Sequence, residues 1–392
     1  MDLNWVDMEF EFNLRTKTKF GVGSAKKLGH DLGEMSLRRI GIIIDSGISN
    51  LDYSKEILKS VQEGGFEYVK IWEYSLNSEP DYDSLDRVKN EFLDGDQRTL
   101  VDCFVGIGGG SVIDFAKGLA TIMVNPGNAI EYRGFPKIIN PSLPTIAIPT
   151  TAGTGSEVTY NAVFIDWNEN KKLGINTMEN FPVLAILDPL LTVSCPKSVT
   201  VSSGMDALVH CMGSYSSVYS NPVTRMYSKE AFSRLFNNLY RVLDNPSDIN
   251  IRAEIQLGAY LAGVALFNSG SDPSGALSYP LGVLYKVPHG LAGSVFLPYI
   301  VAHNESKGFD YSELNNMIDI DEIDTESSFS YKINMLCQKL GIPEKLSHFG
   351  INNDNVDNLI ESLDSLKNAF AQNSVDFYVE DAKKIILSMI DY

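Results

Sequence analysis

An aspartate and a histidine lie four residues apart in Gly204–His210, and a further histidine follows later in the chain. The first two are Asp206 and His210, and the third is His289 in the run Val287–Gly290. On a helix, residues at positions i and i+4 share a face, so a carboxylate and an imidazole at this spacing can bind one divalent metal ion. The same two side chains can instead form a hydrogen-bonded pair. The spacing therefore predicts either a metal site of Asp206, His210 and His289 or a paired Asp206 and His210.

Three consecutive glycines, Gly108 to Gly110, separate a predicted strand from a predicted helix, and Ser111 comes next. Glycine lets the backbone approach a phosphate closely, and the unpaired N–H groups at a helix N-terminus favour an anion. The run differs from the Walker A loop and from the G-x-G-x-x-G pattern. It predicts either a phosphate-binding turn or a tight turn without a ligand.

Two other segments offer groups that suit a nucleotide. The loop Pro149–Val158 contains four hydroxyl side chains and two glycines directly after a predicted strand. Asp45 closes another predicted strand, where a carboxylate accepts hydrogen bonds from a ribose and repels a 2′-phosphate, favouring NAD over NADP. The alternatives are a structural turn for the loop and a helix N-cap for Asp45.

The elements that must position these residues differ between the two halves of the chain. The first half alternates helical stretches with five runs that are apolar on both faces, as in buried parallel strands: Ile40–Ile44, Tyr68–Trp72, Cys103–Ile107, Thr145–Pro149 and Leu184–Leu187. The second half has long helical periods, at Gly204–Tyr219, Pro222–Asp244, Ile249–Asn268 and Ala292–Asn304. We therefore predict an α/β domain with a parallel sheet over residues 1–190 and an all-α domain over residues 191–392.

Composition and charge exclude several classes of protein. The 392 residues are 44% hydrophobic and 21% charged, which is typical of a globular protein. The net charge of −18 repels phosphate backbones, which argues against nucleic-acid binding and against attachment to a membrane through basic residues. The four cysteines are scattered, so free thiols are expected, and the N-terminus lacks the pattern of a secretory signal. We expect a cytoplasmic protein.

Taken in order, these segments resemble the iron-containing (group III) alcohol dehydrogenase family. The resemblance runs from Phe20–Gly23 through the segments GGGSVIDFAK, IPTTAGTGSEVT, LDPLLT, GMDALVH and YPLGVLYKVPHGLA, to about Pro298. It implies a dinucleotide-binding α/β domain and a helical domain, with the active site in the cleft between them. It also implies an NAD(P)-dependent, cytoplasmic oxidoreductase that forms an oligomer, for which we expect a homodimer.

The resemblance also implies roles for individual residues. Asp45 corresponds to the acid that binds the ribose, and Lys172 to a lysine that reaches the cofactor. The remaining cofactor-binding positions are those of the glycine turn and the hydroxyl-rich loop: Gly108, Gly109, Gly110, Ser111, Asp114, Thr150, Thr151 and Thr154. Fe²⁺ or Zn²⁺ would be held by Asp206, His210 and His289.

The sequence departs from the family pattern at the metal site. A fourth ligand is expected fourteen residues before His289, where this chain has Gly275, and a second family histidine is replaced by Tyr279. The glutamate that usually follows His210 is Gly213. At most three protein ligands remain, a set that can still hold iron or zinc. Without metal, we predict that Tyr279 exchanges the proton of the alcohol, assisted by His210 or His289.

The altered site predicts a substrate bulkier than a simple alkanol. A polyol, a sugar or a sugar acid fits. The altered site also resembles the branch of the family that oxidises the C8 hydroxyl of 3-deoxy-D-manno-octulosonate, which implies a place in carbohydrate metabolism and lipopolysaccharide biosynthesis. Our leading prediction is oxidation of such an alcohol to an aldehyde or ketone by hydride transfer to NAD. The alternatives are a non-catalytic NAD-binding pseudoenzyme and a lyase similar to dehydroquinate synthase that uses NAD transiently.

Overall fold

The computed structural model describes residues 8–75, 79–169, 171–320 and 326–390. Within it the chain forms two compact units. The α/β unit comprises residues 14–151 and 156–195. The helical unit comprises the described parts of 1–13, 152–155 and 196–392.

A six-stranded sheet forms the centre of the α/β unit. Its strands are β1 (Lys17–Phe20), β2 (Arg39–Asp45), β3 (Tyr68–Tyr74), β4 (Cys103–Gly108), β5 (Thr145–Pro149) and β8 (Leu184–Leu187), in the order β1-β8-β5-β4-β2-β3. Every neighbouring pair is parallel. Isoleucines on both faces of β2 are buried, because helices cover a parallel sheet on its two sides.

Among the described residues, four α-helices accompany this sheet, together with one separate hairpin. The helices are α1 (Leu28–Glu34), α2 (Asp52–Gln62), α3 (Tyr82–Lys89) and α4 (Gly110–Ile122). The antiparallel hairpin consists of β6 (Val163–Asp166) and β7 (Lys171–Gly174). In this order of strands, β4 and β5 are neighbours, so the glycine turn after β4 and the loop after β5 lie at the same edge of the sheet.

The helical unit is built around long buried helices. These are α5 (Lys197–Ser216), α6 (Pro222–Asn238), α8 (Ile249–Ser269), α9 (Pro273–Tyr285), α10 (His289–Ser306) and α12 (Phe329–Leu340). Shorter helices complete it: α7 (Arg241–Asp244), α11 (Ser312–Asn315), α13 (Asp357–Ser362), α14 (Lys367–Phe370) and α15 (Val379–Ser388). Among the described residues, no helix combines the length and the apolarity that crossing a bilayer requires.

Several helix boundaries differ from the sequence-based prediction for identifiable reasons. The predicted helix Pro222–Asp244 is two helices, because α6 ends at Asn238 and α7 begins at Arg241. Helix α9 was not predicted, since prolines stand at its first position and at its centre. Asp272 begins α9 by accepting hydrogen bonds from the N–H groups of Ser274 and Gly275, at 2.9 and 3.2 Å.

Candidate metal centre and nucleotide-binding segments

Asp206, His210 and His289 converge within the helical unit. Helix α5 carries the first two one turn apart, and His289 is the first residue of α10. The Nε2 atoms of His210 and His289 lie 3.6 and 3.9 Å from Asp206 Oδ1, and one ligand atom from each residue lies within 4.8 Å of the others. These separations are too long for hydrogen bonds, and they suit three ligands that surround one ion at about 2.0–2.2 Å each.

The rings of His210 and His289 differ in the hydrogen bonding of their Nδ1 atoms. The Ser278 hydroxyl donates a hydrogen bond to the carbonyl oxygen of Gly275 at 2.6 Å, so its oxygen accepts a hydrogen bond from the N–H at His289 Nδ1, 3.1 Å away. This tautomer leaves the lone pair of His289 Nε2 facing Asp206, as in histidines that bind metals. The buried Nδ1 of His210 has no hydrogen-bond partner among the described residues. The contact between Asp206 and His210 Nε2 is too long for a hydrogen bond, and a ligand role for His210 remains a prediction.

Gly290 allows His289 to approach α5. A Cβ atom on Gly290 would lie 2.0 Å from the carbonyl oxygen of Ser202 and 2.8 Å from Asp206 Cβ. Only glycine can occupy this position without separating the two helices. The close contact between the start of α10 and α5 thus fixes His289 beside Asp206.

Tyr279 lies beside His289, and Gly213 and Gly275 both lie close to Ser271. The Tyr279 ring is exposed on one side and meets the His289 ring edge-on, with 5.2 Å between their centroids. A Cβ atom on Gly275 would lie 2.3 Å from Ser271 Oγ, and one on Gly213 would lie 3.1 Å from the same atom. The Ser271 hydroxyl therefore lies in the space that side chains at both glycine positions would take.

Asp272 is the other buried acid near this group. Its side chain is 2% exposed, and burial raises the pKa of its carboxyl group, while hydrogen bonds from Ser274 and Gly275 and the neighbouring His210 oppose the shift. A second cluster of His30, Asp31 and Glu34 lies on the surface of the α/β unit. There Lys19 already forms an ion pair with Asp31.

The glycine turn and the threonine loop contact each other in the α/β unit. Thr150 donates its N–H to the carbonyl oxygen of Gly108 at 2.9 Å, and Thr151 lies 3.4 Å from the position of a Cβ atom on Gly109. Helix α4 begins at Gly110, and its N-cap residue, Gly109, has no side chain that could cap the first N–H groups. Uncapped N–H groups at the start of a helix of this length suit a phosphate.

The other predicted cofactor residues have protein partners. Asp45 Oδ1 accepts a hydrogen bond from the N–H of Gly47 at 2.7 Å, and Lys172 Nζ lies 2.7 Å from Glu79 Oε2. The carboxylate of Asp114 accepts hydrogen bonds from Ser156 Oγ and from the N–H of Val163. Thr154 is exposed, in the short segment 152–155 that packs with the helical unit. Cofactor contacts of these four residues remain predictions.

Three residues at these sites could not be identified from the sequence. Ser278 and Gly290 hold His289 in place, and Lys117 binds the segment that follows the threonine loop. Gly290 directly follows His289, so a glycine next to a candidate ligand was the indication of a close helix contact that the sequence offered. For Ser278 and Lys117, the residue type alone indicates nothing about the partner.

Comparisons with known proteins give consistent results. The family model described as iron-containing alcohol dehydrogenase matches residues 15–189, and the model described as the C-terminal part of the Fe-containing alcohol dehydrogenase family matches residues 200–390. The NAD-dependent methanol dehydrogenase of Bacillus methanolicus is 33% identical over 284 residues, which are 72% of this chain and 73% of that protein. The 1,3-propanediol dehydrogenase of Klebsiella pneumoniae is 33% identical over 261 residues, 65% and 67% of the two chains.

Solved structures resemble the whole chain. A crystal structure of 1,3-propanediol oxidoreductase has a TM-score of 0.88 at 25% identity and covers 98% of this chain and 100% of its own. The alcohol dehydrogenase from Oenococcus oeni has a TM-score of 0.86 at 27% identity, with coverage of 97% and 100%. These matches confirm the predicted fold class.

Proposed function

Since the chain belongs to the iron-containing alcohol dehydrogenase family and is an oxidoreductase that acts on CH–OH groups, we propose that it transfers hydride from a polyol, sugar or sugar acid to NAD. Family membership confirms the resemblance noted in the sequence. The observation that carries the proposal is the convergence of Asp206, His210 and His289, whose separations fit ligands of one ion. A divalent metal bound there would polarise the substrate oxygen and stabilise its alkoxide form.

The dinucleotide role rests on the α/β unit. The uncapped start of α4 offers N–H groups to a pyrophosphate, and the Gly108–Gly110 turn lets a phosphate approach the backbone. Thr150, Thr151 and Thr154 would contact the nucleotide, with Asp45 on the ribose. The relative from Bacillus methanolicus is named as NAD-dependent, which agrees with the preference for NAD that Asp45 predicts.

Small polar groups near the metal ligands support a hydroxylated substrate. Gly213 and Gly275 add no side chains, and the Ser271 hydroxyl lies between them. A substrate with several hydroxyl groups can bond to the Ser271 hydroxyl while another of its hydroxyls binds the metal, whereas the single hydroxyl of a simple alkanol serves the metal alone. We therefore propose a polyol or sugar acid, with 3-deoxy-D-manno-octulosonate as one compound to test. The predicted homodimer and cytoplasmic location follow from the resemblance and remain predictions.

The test is a substrate panel run on protein loaded anaerobically with Fe²⁺ or Zn²⁺. The panel contains ethanol, 1,3-propanediol, glycerol, simple sugars and 3-deoxy-D-manno-octulosonate, and NADH is followed by its absorbance. Formation of one NADH per hydroxyl oxidised, with polyols or sugar acids preferred to ethanol, is the expected result. Product without net NADH would favour the lyase, and NAD binding without turnover on any alcohol would favour the pseudoenzyme.

Replacing Tyr279 by phenylalanine tests its role in proton exchange. The phenyl ring keeps the edge-on contact with His289, so only the hydroxyl is lost. Assayed without metal, the variant should turn over about 10²-fold more slowly, the effect typical of a lost acid–base group, whereas metal-loaded protein should be affected less because the metal stabilises the alkoxide. Undiminished turnover would show that Tyr279 only lines the site and exchanges no proton.

Substituting Gly275 by histidine tests whether the site lacks one ligand. The new Cβ atom would meet Ser271 Oγ, so we expect the single variant to be strained. The double variant Ser271→Ala, Gly275→His should raise metal affinity at least about tenfold, because a fourth ligand completes a tetrahedral set. The control is Ser271→Ala, Gly275→Ala, which adds the Cβ atom without the imidazole. Equal metal affinity in both double variants would show that residue 275 does not face the metal.

A further inference from the structure

Lys117 is a lysine without any exposed surface, at the centre of α4. Its Nζ atom donates to Ser156 Oγ at 2.8 Å, to the carbonyl oxygen of Thr159 at 2.9 Å and to that of Asn161 at 3.0 Å. An ammonium group has three N–H donors, so these acceptors use all of them. All three belong to the segment 156–161, which directly follows the threonine loop.

Acidic side chains balance the charge of this buried lysine. Asp114 Oδ1 lies 3.7 Å from Lys117 Nζ, one helical turn back, and Asp114 also accepts a hydrogen bond from Ser156 Oγ. Glu157 is buried close by, and its charge favours the protonated form of Lys117. The positive charge of Lys172 favours the ionised form of Asp114. An unpaired buried charge costs several kcal/mol, so these groups depend on one another.

The two flanks of the threonine loop are therefore attached to one structural element. On one flank, Thr150 bonds to Gly108 and Thr151 lies against Gly109, at the turn that opens α4. On the other flank, Ser156 is attached through Lys117 to the middle of the same helix. A lysine is needed because three acceptors must be reached from one point at the end of a long side chain.

We propose that Lys117 is a positioning residue for the dinucleotide site. Its ammonium group holds the segment 156–161 against α4 and thereby fixes Thr150 and Thr151 beside the Gly108–Gly110 turn. The lysine touches no ligand in this role, and it acts through the shape of the loop. The inference rests on the proposed use of NAD.

The test measures NAD binding to the whole protein by titration calorimetry. We expect Lys117→Met to raise the Kd for NAD at least about tenfold, because a displaced loop misplaces several contacts together. Ser156→Ala, which removes one acceptor, should raise the Kd for NAD less than Lys117→Met does. In both variants, kcat at saturating NAD should change less than the Kd. The matched control is Thr121→Val, which removes buried hydrogen bonds to Ser142 and Asn180 from the same helix without touching the segment 156–161.

The pH dependence separates positioning from simple stabilisation. Burial lowers the pKa of Lys117 to about 8, against the opposing effect of Asp114 and Glu157. NAD binding should therefore weaken as pH rises through about 8, when the lysine loses a proton and one donor. Lys117→Arg stays protonated and should lose this dependence. If the wild type, Lys117→Met and Ser156→Ala all bind NAD with the same Kd, the positioning role is wrong. If the wild type does not bind NAD, the proposed function and this inference fail together.

Discussion

Replacing His289 by alanine is expected to abolish catalysis and to remove most of the metal. His289 supplies one of the three candidate ligands, and its loss leaves Asp206 and His210 alone on α5. Loss of a directly bound ligand should exceed the about 10–100-fold in metal affinity that a supporting residue costs. We expect turnover to fall by about 10³-fold or more, because the alkoxide would lose its stabilisation. Elemental analysis by mass spectrometry and the rate of NADH formation check both effects.

A matched control lies on the same helix. His303 is near the end of α10, where its Nε2 atom is 2.9 Å from the carbonyl oxygen of Asp376. His303→Ala removes the same side chain from the same helix and should leave metal content near that of the wild type. Retention of one metal per chain and of full turnover by His289→Ala would exclude the metal-site hypothesis.

Replacing Gly290 by alanine should have the second largest effect, although glycine has no side chain to lose. The added Cβ atom would lie 2.0 Å from a backbone oxygen of α5, so α10 must move away. Overpacking of this kind costs about 1–3 kcal/mol of unfolding free energy, and the displaced His289 should weaken metal binding by about 10–100-fold. Denaturant unfolding and competition with a chelator measure the two effects.

Gly293 provides the control for this substitution. Gly293 lies one turn further along α10, and a Cβ atom there would lie 3.4 Å from the Val209 side chain of α5, an ordinary van der Waals distance. Because alanine also favours a helix by up to about 1 kcal/mol, Gly293→Ala should be neutral or stabilising. If Gly290→Ala resembles Gly293→Ala in both stability and metal affinity, the close contact does not position His289.

The buried strands were predictable from sequence because the sheet is covered on both faces. The isoleucines of β2 form an uninterrupted apolar run, and a short run of this kind that ends in turn residues is typical of a strand buried on both sides. Strand β1 was missed because it lies at the edge of the sheet, where Lys17 and Phe20 are exposed. The hairpin of β6 and β7 was missed because β7 is short and begins with two lysines.

The candidate site likewise combines local features that the sequence predicts with long-range contacts that it does not. Asp206 and His210 could be paired from sequence because their contact is local, one turn along a helix. The approach of His289 depends on the contact between Gly290 and Ser202, which no local pattern encodes. Lys117 was hidden for a related reason, since a lysine in a largely apolar helix indicates neither its burial nor its distant acceptors.

The position of the Ser271 hydroxyl has a consequence for laboratory evolution of this protein. Because that hydroxyl occupies the space beside Gly275, a new side chain at residue 275 meets an obstacle at its first atom. Residues 271 and 275 must therefore change together, and each change alone brings little or no benefit. Libraries that vary one position at a time will discard the intermediates, whereas a library that randomises both positions can recover the improved pair.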